Sequence, residues 1–141
     1  MGQINLVGVL KGGLAAALIM NISEFVLNVP VAGVQMEAEM GLRNLPPAVG
    51  GAQIAVFVAL RSLLGIITVW LYAAIRPRLG PGPKTAMCAG MTVWTCSYLY
   101  SAITVGTIGL HSMGVVLTVI IWSALEMLIA SAVGGYFYTE S

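Results

Sequence analysis

The chain has 141 residues, of which 59% are hydrophobic and only 8% are charged, and its formal net charge is +1. Soluble domains carry about a quarter charged residues, so this composition, with a mean hydropathy of +0.97, excludes an ordinary soluble domain. The small net charge argues against electrostatic capture of nucleic acid, and no nucleic-acid-binding motif is present. We therefore expect an integral membrane protein that is surrounded by the lipid bilayer.

Four apolar windows are long enough to cross a bilayer, which takes about 20 mainly apolar helical residues. They predict an all-α fold, a transmembrane four-helix bundle that forms one domain over residues 1–141. The first window is longer than the apolar region of a signal peptide and has no basic residues before it, so we interpret it as a true span. The predicted spans are residues 4–28, 52–75, 85–105 and 113–137.

The segment between the first two spans has a helical pattern of its own. Pro30 is expected to end the first helix, and the prolines at positions 46–47 lead into the second span. Between them, Val34, Ala38 and Leu42 recur on one helical face. The pattern predicts a short interfacial helix at the membrane surface, with an ordinary ordered loop as the alternative.

The positions of the basic residues predict the orientation. The loop between spans two and three, RPRLGPGPK, contains Arg76, Arg78 and Lys84 and no acidic residue. Cytoplasmic loops of membrane proteins are enriched in lysine and arginine, so this loop is expected to be cytoplasmic. With four spans, both termini then lie on the cytoplasmic side.

Four charged residues interrupt the spans: Lys11, Glu24, Arg61 and Glu126. A charge at the bilayer centre costs about 2.5–3.5 kcal/mol on insertion scales, so such residues face a bundle interior, pair with each other or carry function. Lys11 is close enough to a span end to extend its ammonium group to the cytoplasmic surface. For Arg61 we prefer a pair with Glu126 near mid-membrane; Glu24 is the competing partner, and one Glu–Arg–Glu network would satisfy both.

Helical spacing predicts one polar or small-residue face on each span. On the first span, Asn21 and Asn28 share a face with Glu24, and we expect them to join Arg61 and Glu126 in a polar network that opens toward the periplasm. Small residues let neighbouring membrane helices approach closely. The predicted helix-packing positions are Gly8, Gly12, Gly13, Ala17, Gly65, Ala130 and Gly134.

Span three has a predicted inward face of threonines and a cysteine, and two tyrosines near its outer end. Tyr98 and Tyr100 suit the aromatic belt at a membrane interface. The predicted inward face consists of Thr85, Cys88, Thr92 and Thr95.

Little in the chain points to catalysis or to a cofactor. Cys88 and Cys96 are eight residues apart on one helix, about 12 Å, which is too far for a disulfide; we expect both to be small buried hydrophobic residues. His111 is the single histidine, which excludes a multi-histidine zinc site or a bis-histidine haem within one chain. We expect it in a solvated loop. We predict no metal, no cofactor and no catalytic residue.

Two stretches, GGLAAALIMNISEFVLN and VWLYAAIRPRLGPGPKTAMCAG, resemble an uncharacterised family of small bacterial four-span integral membrane proteins. The resemblance lies in Asn-x-Ser-Glu-Phe at residues 21–25 and Trp-x-Tyr-Ala-x-x-Arg-Pro at residues 70–77. It implies a bacterial inner-membrane bundle. The family has no assigned activity, so the resemblance implies no catalytic residue.

Three functional hypotheses follow from these features. The first is a non-enzymatic structural or accessory subunit that packs against itself or against a larger membrane complex. The second is a small oligomeric transporter or a proton or solute channel that uses the intramembrane residues Glu24, Arg61 and Glu126. The third is a membrane enzyme or lipid-binding protein with a polar pocket at Glu24 and Arg61.

Overall fold

The computed structural model describes residues 4–45 and 50–140, and all regular secondary structure within them is helical. This confirms the predicted all-α class. The prolines predicted to lead into the second span, at positions 46–47, lie outside the described residues. Three helices are long and apolar enough to cross a membrane, which fits a membrane protein: Leu6–Val31, Gly51–Leu79 and Met113–Phe137.

Six α-helices and two π-helical turns follow one another within residues 4–45 and 50–140. The first π-turn, Leu27–Val31, extends α1, and the second, Thr95–Leu99, joins α4 to α5. A helix therefore forms between the first two spans, where a loop was the alternative. The α-helices are α1 (Leu6–Val26), α2 (Gly33–Gly41), α3 (Gly51–Leu79), α4 (Pro83–Trp94), α5 (Tyr100–Thr107) and α6 (Met113–Phe137).

The first helix continues past Pro30, so the prediction that this proline ends it is wrong. Proline lacks the N–H that an α-helical turn requires. In the π-turn, the Ala32 N–H instead donates to the Leu27 carbonyl at 2.8 Å, five residues back. This wider turn accommodates the proline one residue before the helix ends at Val31.

The stretch predicted as the third span is helical but is not among the three candidate spans. It consists of the 12-residue α4, a five-residue π-turn and the eight-residue α5. Backbone angles stay in the right-handed helical region at both junctions, for example at Thr95 and Tyr100. Its serine, threonine and tyrosine residues make this stretch less apolar than the other three long helices.

Small residues set the distances between the helices. Helix α1 packs against α3 and α6, and α4 packs against the same two helices. A Cβ atom on Gly65 would lie 2.7 Å from the Gly13 carbonyl oxygen, and one on Gly134 would lie 3.0 Å from the Gly12 carbonyl oxygen. These contacts allow no side chain. All seven predicted packing positions are buried: Gly8, Gly12, Gly13, Ala17, Gly65, Ala130 and Gly134.

The predicted inward face of span three is wrong except at Thr85, which is buried. Cys88, Thr92 and Thr95 are exposed, and so is Cys96, so the cysteines are not buried hydrophobic residues. The Thr92 and Thr95 hydroxyls donate to carbonyls of their own helix at 2.9 and 2.8 Å, so they need no partner on another helix. The buried face of α4 is instead Thr85, Ala86, Ala89, Gly90, Val93 and Trp94.

The two ends of the described chain meet at one end of the bundle, which we call the terminal end. The Asn5 side-chain amide donates to the Thr139 carbonyl at 2.9 Å. Arg76, near the end of α3, forms an ion pair with Glu140 at 3.3 Å and lies 5.6 Å from the centre of the Tyr138 ring. Helix α1 therefore begins where α3 and α6 end.

Candidate functional site

Three of the intramembrane charges meet where α1, α3 and α6 come together. The Arg61 Nη2 on α3 forms an ion pair with the Glu24 Oε1 on α1. The Arg61 Nη1 lies 3.2 Å from the Glu126 Oε1 on α6. Arg61 therefore contacts both carboxylates, and the two alternative pairs form one network. Lys11 lies apart from them and is exposed.

Tyr98, on the second π-turn, is the fourth member of this network, and sequence reasoning missed it by assigning it to an aromatic belt. Its hydroxyl donates to the Glu126 Oε1 at 3.0 Å and accepts a hydrogen bond from the Arg61 Nη1. The Arg61 guanidinium carbon also lies 4.8 Å from the centre of the Tyr98 ring, which is a cation–π distance. The network thus ties α1, α3, the π-turn and α6 together.

Burial increases steadily along the network. Asn28 is exposed, and its side-chain amide donates to the Glu24 Oε1 at 2.8 Å. The side chains of Glu24, Arg61 and Glu126 are 29%, 18% and 1% exposed, respectively. The network is therefore accessible at Asn28 and closed at Glu126. We call these five residues, Asn28, Glu24, Arg61, Tyr98 and Glu126, the charge network.

Asn21 was expected in the network, but its amide donates to the Ala17 carbonyl of its own helix at 2.9 Å. Within the described residues, no hydrogen bond joins it to the charge network. Its i to i−4 bond satisfies the amide locally, as serine and threonine hydroxyls do in many membrane helices. Asn21 therefore lies on the same face of α1 as Glu24 but is not part of the charge network.

The other carboxylate oxygen of Glu126, Oε2, is buried and has no hydrogen-bond partner in the described part of the chain. Buried polar groups are nearly always hydrogen-bonded, so an unpartnered carboxylate oxygen is unusual. Arg61 carries one positive charge, whereas Glu24 and Glu126 together carry two carboxyl groups. Arg61 by itself cannot neutralise both.

Two tryptophans hold the surrounding helices in register. The Trp94 indole N–H donates to the Ser123 hydroxyl, and the Trp122 indole N–H donates to the Ser23 hydroxyl, both at 2.9 Å. The first bond joins α4 to α6 and the second joins α6 to α1. Met127, one residue beyond Glu126 toward the terminal end, is fully buried. An apolar core therefore lies next to the charge network, on the side of the terminal end.

A second polar cluster fastens α2 to the loop between α5 and α6. The Glu39 Oε2 lies 2.9 Å from the His111 Nδ1 and accepts the Ser112 backbone N–H at 3.0 Å. The Gln35 side chain donates to the Ser112 hydroxyl at 3.3 Å, and Arg43 donates to the Leu110 carbonyl. His111, expected to be solvated, is thus held by a carboxylate. We call this cluster the α2 clasp.

The α2 clasp gives a prediction about pH. Hydrogen bonds from the Ser112 side chain and backbone N–H, and from His111 and Gln35, lower the pKa of Glu39 from 4.5 to about 2. A carboxyl group with a lowered pKa stabilises the folded contact above its unfolded pKa and loses that contribution as pH falls through its folded pKa. We expect the hydrogen-exchange protection of the Ser112 amide to fall as the pH is lowered from 4.5 to about 2.

Glu39→Gln is expected to remove most of this pH dependence, because the amide does not titrate. Glu37→Gln is the matched control, since Glu37 lies on the same helix and is exposed. Its protection profile should match that of the wild-type protein. Equal profiles for Glu39→Gln and the wild-type protein would contradict the role given to Glu39.

No metal centre is assembled by the residues that the structure describes, because no group of three or more His, Cys, Asp or Glu side chains is close enough together. Comparisons with protein-family models, with curated proteins and with solved structures found no match to this chain.

Proposed function

We propose that this chain is a non-enzymatic integral membrane protein, a structural or accessory subunit that packs against itself or against a larger membrane complex. The charge network carries the proposal, because each of its three charged groups bonds to a group on another helical segment. Breaking a buried pair costs about 3–5 kcal/mol. Locking the register of the helices is thus a sufficient reason for these charges to lie within the spans.

The proposed topology is a four-span bundle with both termini in the cytoplasm of a bacterium. The contact between Asn5 and Thr139 supports it, because chain ends on one side of a membrane require an even number of crossings. Three spans alone would separate the ends. The stretch from α4 to α5 then supplies the fourth crossing, and the basic loop with Arg76, Arg78 and Lys84 faces the cytoplasm of the inner membrane.

Lipid is the proposed environment of α2 as well as of the spans. Val34 on α2 and Leu42, directly after it, are 79% and 86% exposed, whereas Gln35 and Glu39 on α2 bond to the α5–α6 loop. A helix with an apolar exposed face and a polar face held by protein suits the membrane interface. This supports the predicted interfacial helix.

The beginning of α3 is the surface on which we propose that a partner packs. Residues 51–60 are exposed on every side of the helix, including Ile54, Val56 and Phe57. The rest of α3, from Arg61 onward, contains all of its buried residues. A second copy of the chain or another membrane subunit would therefore find a free helical segment here.

Gentle extraction into nanodiscs, followed by mass spectrometry of the intact assembly, tests the proposed function. We expect the chain to emerge with a fixed stoichiometry, either as a homo-oligomer or bound to a larger membrane protein. Phe57→Ala is expected to weaken that assembly, and Phe137→Ala, an exposed aromatic residue at the terminal end, is the control. A wild-type chain that emerges only as a monomer would contradict the proposal.

A second candidate function is a small oligomeric transporter or a proton or solute channel. The observation in its favour is the continuous series of polar groups from exposed Asn28 to buried Glu126. The polar groups stop at Glu126, because the core around the buried Met127 is apolar from there toward the terminal end. A path through the membrane would therefore need a second protomer. Proton flux into liposomes that is lost in both Glu24→Gln and Glu126→Gln would favour this function.

A further inference from the structure

The unpartnered oxygen of Glu126 is the feature of the charge network that register locking leaves unexplained. The side chain is 1% exposed, and its Oε2 has no hydrogen-bond partner among the described residues. A bare carboxylate oxygen removed from water is costly, whereas a neutral carboxyl group costs far less. A purely structural lock would gain from a partner at this position.

The charges around Glu126 do not balance if both carboxylates are ionised. Glu24 faces it from α1, Arg61 from α3 and the Tyr98 hydroxyl from the π-turn. Arg61 supplies one positive charge, so the sum is −1. Lys11 does not correct it, because it is exposed and lies about 20 Å from Glu24 along α1 at the helical rise. One more positive charge would bring the sum to zero.

Of the two carboxyl groups, Glu24 is better suited than Glu126 to carry the negative charge. Glu24 is 29% exposed, and its Oε1 accepts from both Arg61 and the Asn28 amide. Glu126 is bonded through Oε1, at 3.2 Å from Arg61 and 3.0 Å from Tyr98, and the Ser23 hydroxyl on α1 also lies near its carboxyl group, while Oε2 accepts no hydrogen bond from the described residues. Hydrogen bonds and hydration favour the charged form, so the geometry keeps the charge on Glu24.

We infer that the charge network is a single-proton binding site, in which Glu126 holds one exchangeable proton on Oε2 while Glu24 stays ionised against Arg61. The proton comes from water on the Asn28 side and forms an O–H bond on Oε2, which brings the summed charge of the network to zero. No electron transfer is involved. The inference rests on the proposed membrane bundle, and it does not require that the proton crosses to the other side.

Infrared spectroscopy of the protein in nanodiscs at pH 7 tests this directly. A neutral carboxyl group has a C=O stretching band that an ionised carboxylate lacks. We expect one such band in the wild-type protein, its loss in Glu126→Gln, and its retention in Glu37→Gln, where the replaced carboxyl group is exposed on α2. Absence of the band from the wild-type spectrum would overturn the inference.

Unfolding equilibria of two matched variants provide a second measurement. Glutamine at position 126 keeps Oε1 as an acceptor and resembles the neutral carboxyl group, so Glu126→Gln is expected to change the unfolding equilibrium constant by less than about tenfold. Loss of an ionised, paired carboxylate would change it by more than about a hundredfold. We expect Glu24→Gln to show the larger effect. The reverse order of the two variants would overturn the inference.

A bound sodium ion would balance the charge equally well, and the same samples distinguish it from a proton. The infrared band is expected to be unchanged between sodium-free buffer and high sodium chloride. A band that appears only after sodium is removed would assign the position to the metal ion and overturn the proton site. Because these spectra use assembled bundles, failure of the proton site is distinguishable from failure of the protein to assemble.

Discussion

Replacing Arg61 with alanine is expected to lower the free energy of unfolding by about 3–5 kcal/mol, the range measured when one partner of a buried ion pair is removed. Arg61 is 18% exposed and contacts Glu24, Glu126 and Tyr98, so its loss breaks bonds to three other segments. Two carboxyl groups would then face each other without a cation. Unfolding by detergent in mixed micelles, followed by circular dichroism, measures the effect.

The double variant Arg61→Leu with Glu126→Leu is expected to be milder than Arg61→Ala. The double variant removes the cation together with the most buried carboxyl group, and the carboxylate that remains, Glu24, is 29% exposed and can be hydrated. Apolar side chains of similar volume often replace buried polar pairs at little cost. Arg78→Ala is the matched control, because Arg78 lies on the same helix and is exposed. It should change the free energy of unfolding by less than about 0.5 kcal/mol. Equal damage from the single and the double variant would contradict a network buried together.

The meeting of Glu24, Arg61 and Glu126 was predictable because it depends on two local properties. Residues three or four apart share a helix face, and an uncompensated charge in an apolar helix turns toward the bundle interior. Together these rules select the inner face of each span. They do not select the partner of Arg61, because its long side chain reaches both carboxylates.

Tyr98 could not be assigned to the network by the same rules. It lies within the π-turn Thr95–Leu99, where the helix accommodates an extra residue per turn. Side chains after such a turn are rotated relative to a regular α-helix. The predicted face was also misplaced before this turn, because Thr92 and Thr95 are themselves exposed.

The threonines of α4 were misleading for a different reason. A hydroxyl that bonds to the carbonyl four residues earlier is satisfied within its own helix, as at Thr92 and Thr95. Such a side chain tolerates an apolar surrounding, so its polarity carries no information about which face packs. Close approach does carry that information: a Cβ atom on Gly90 would lie 2.6 Å from the Ser131 Cβ.

The length and end of α1 also exceeded what its sequence indicates. Proline usually ends a helix, and that rule placed the boundary at Pro30. A π-turn follows α1 at this point instead, and α2 begins at Gly33. Local rules for ending a helix therefore fail where the alternative hydrogen bond, from Ala32 to Leu27, is available.

Gly13→Leu is the second substitution for which we expect a large effect. A Cβ atom at Gly13 would lie 2.6 Å from the Ile66 Cα and 2.8 Å from the Ile66 Cγ1, so the clash includes backbone that a rotamer change cannot relieve. Overpacking of this kind costs about 1–3 kcal/mol and occasionally more. Because α1 and α3 would have to separate, the ion pair between Glu24 and Arg61, on the same two helices, should weaken as well.

The comparison of Gly13→Ala with Gly51→Ala isolates helix packing from helix propensity. Both replace glycine with the best helix former, which by itself favours the helix by about 1 kcal/mol. Gly51 begins α3 and has nothing within 4 Å of an added Cβ atom, whereas Gly13 meets Ile66. We expect Gly51→Ala to be neutral or stabilising and Gly13→Ala to be destabilising in the same unfolding assay. If both variants were stabilised, α1 and α3 would not be in close contact at Gly13, and the joining of these helices through Arg61 would lose its structural basis.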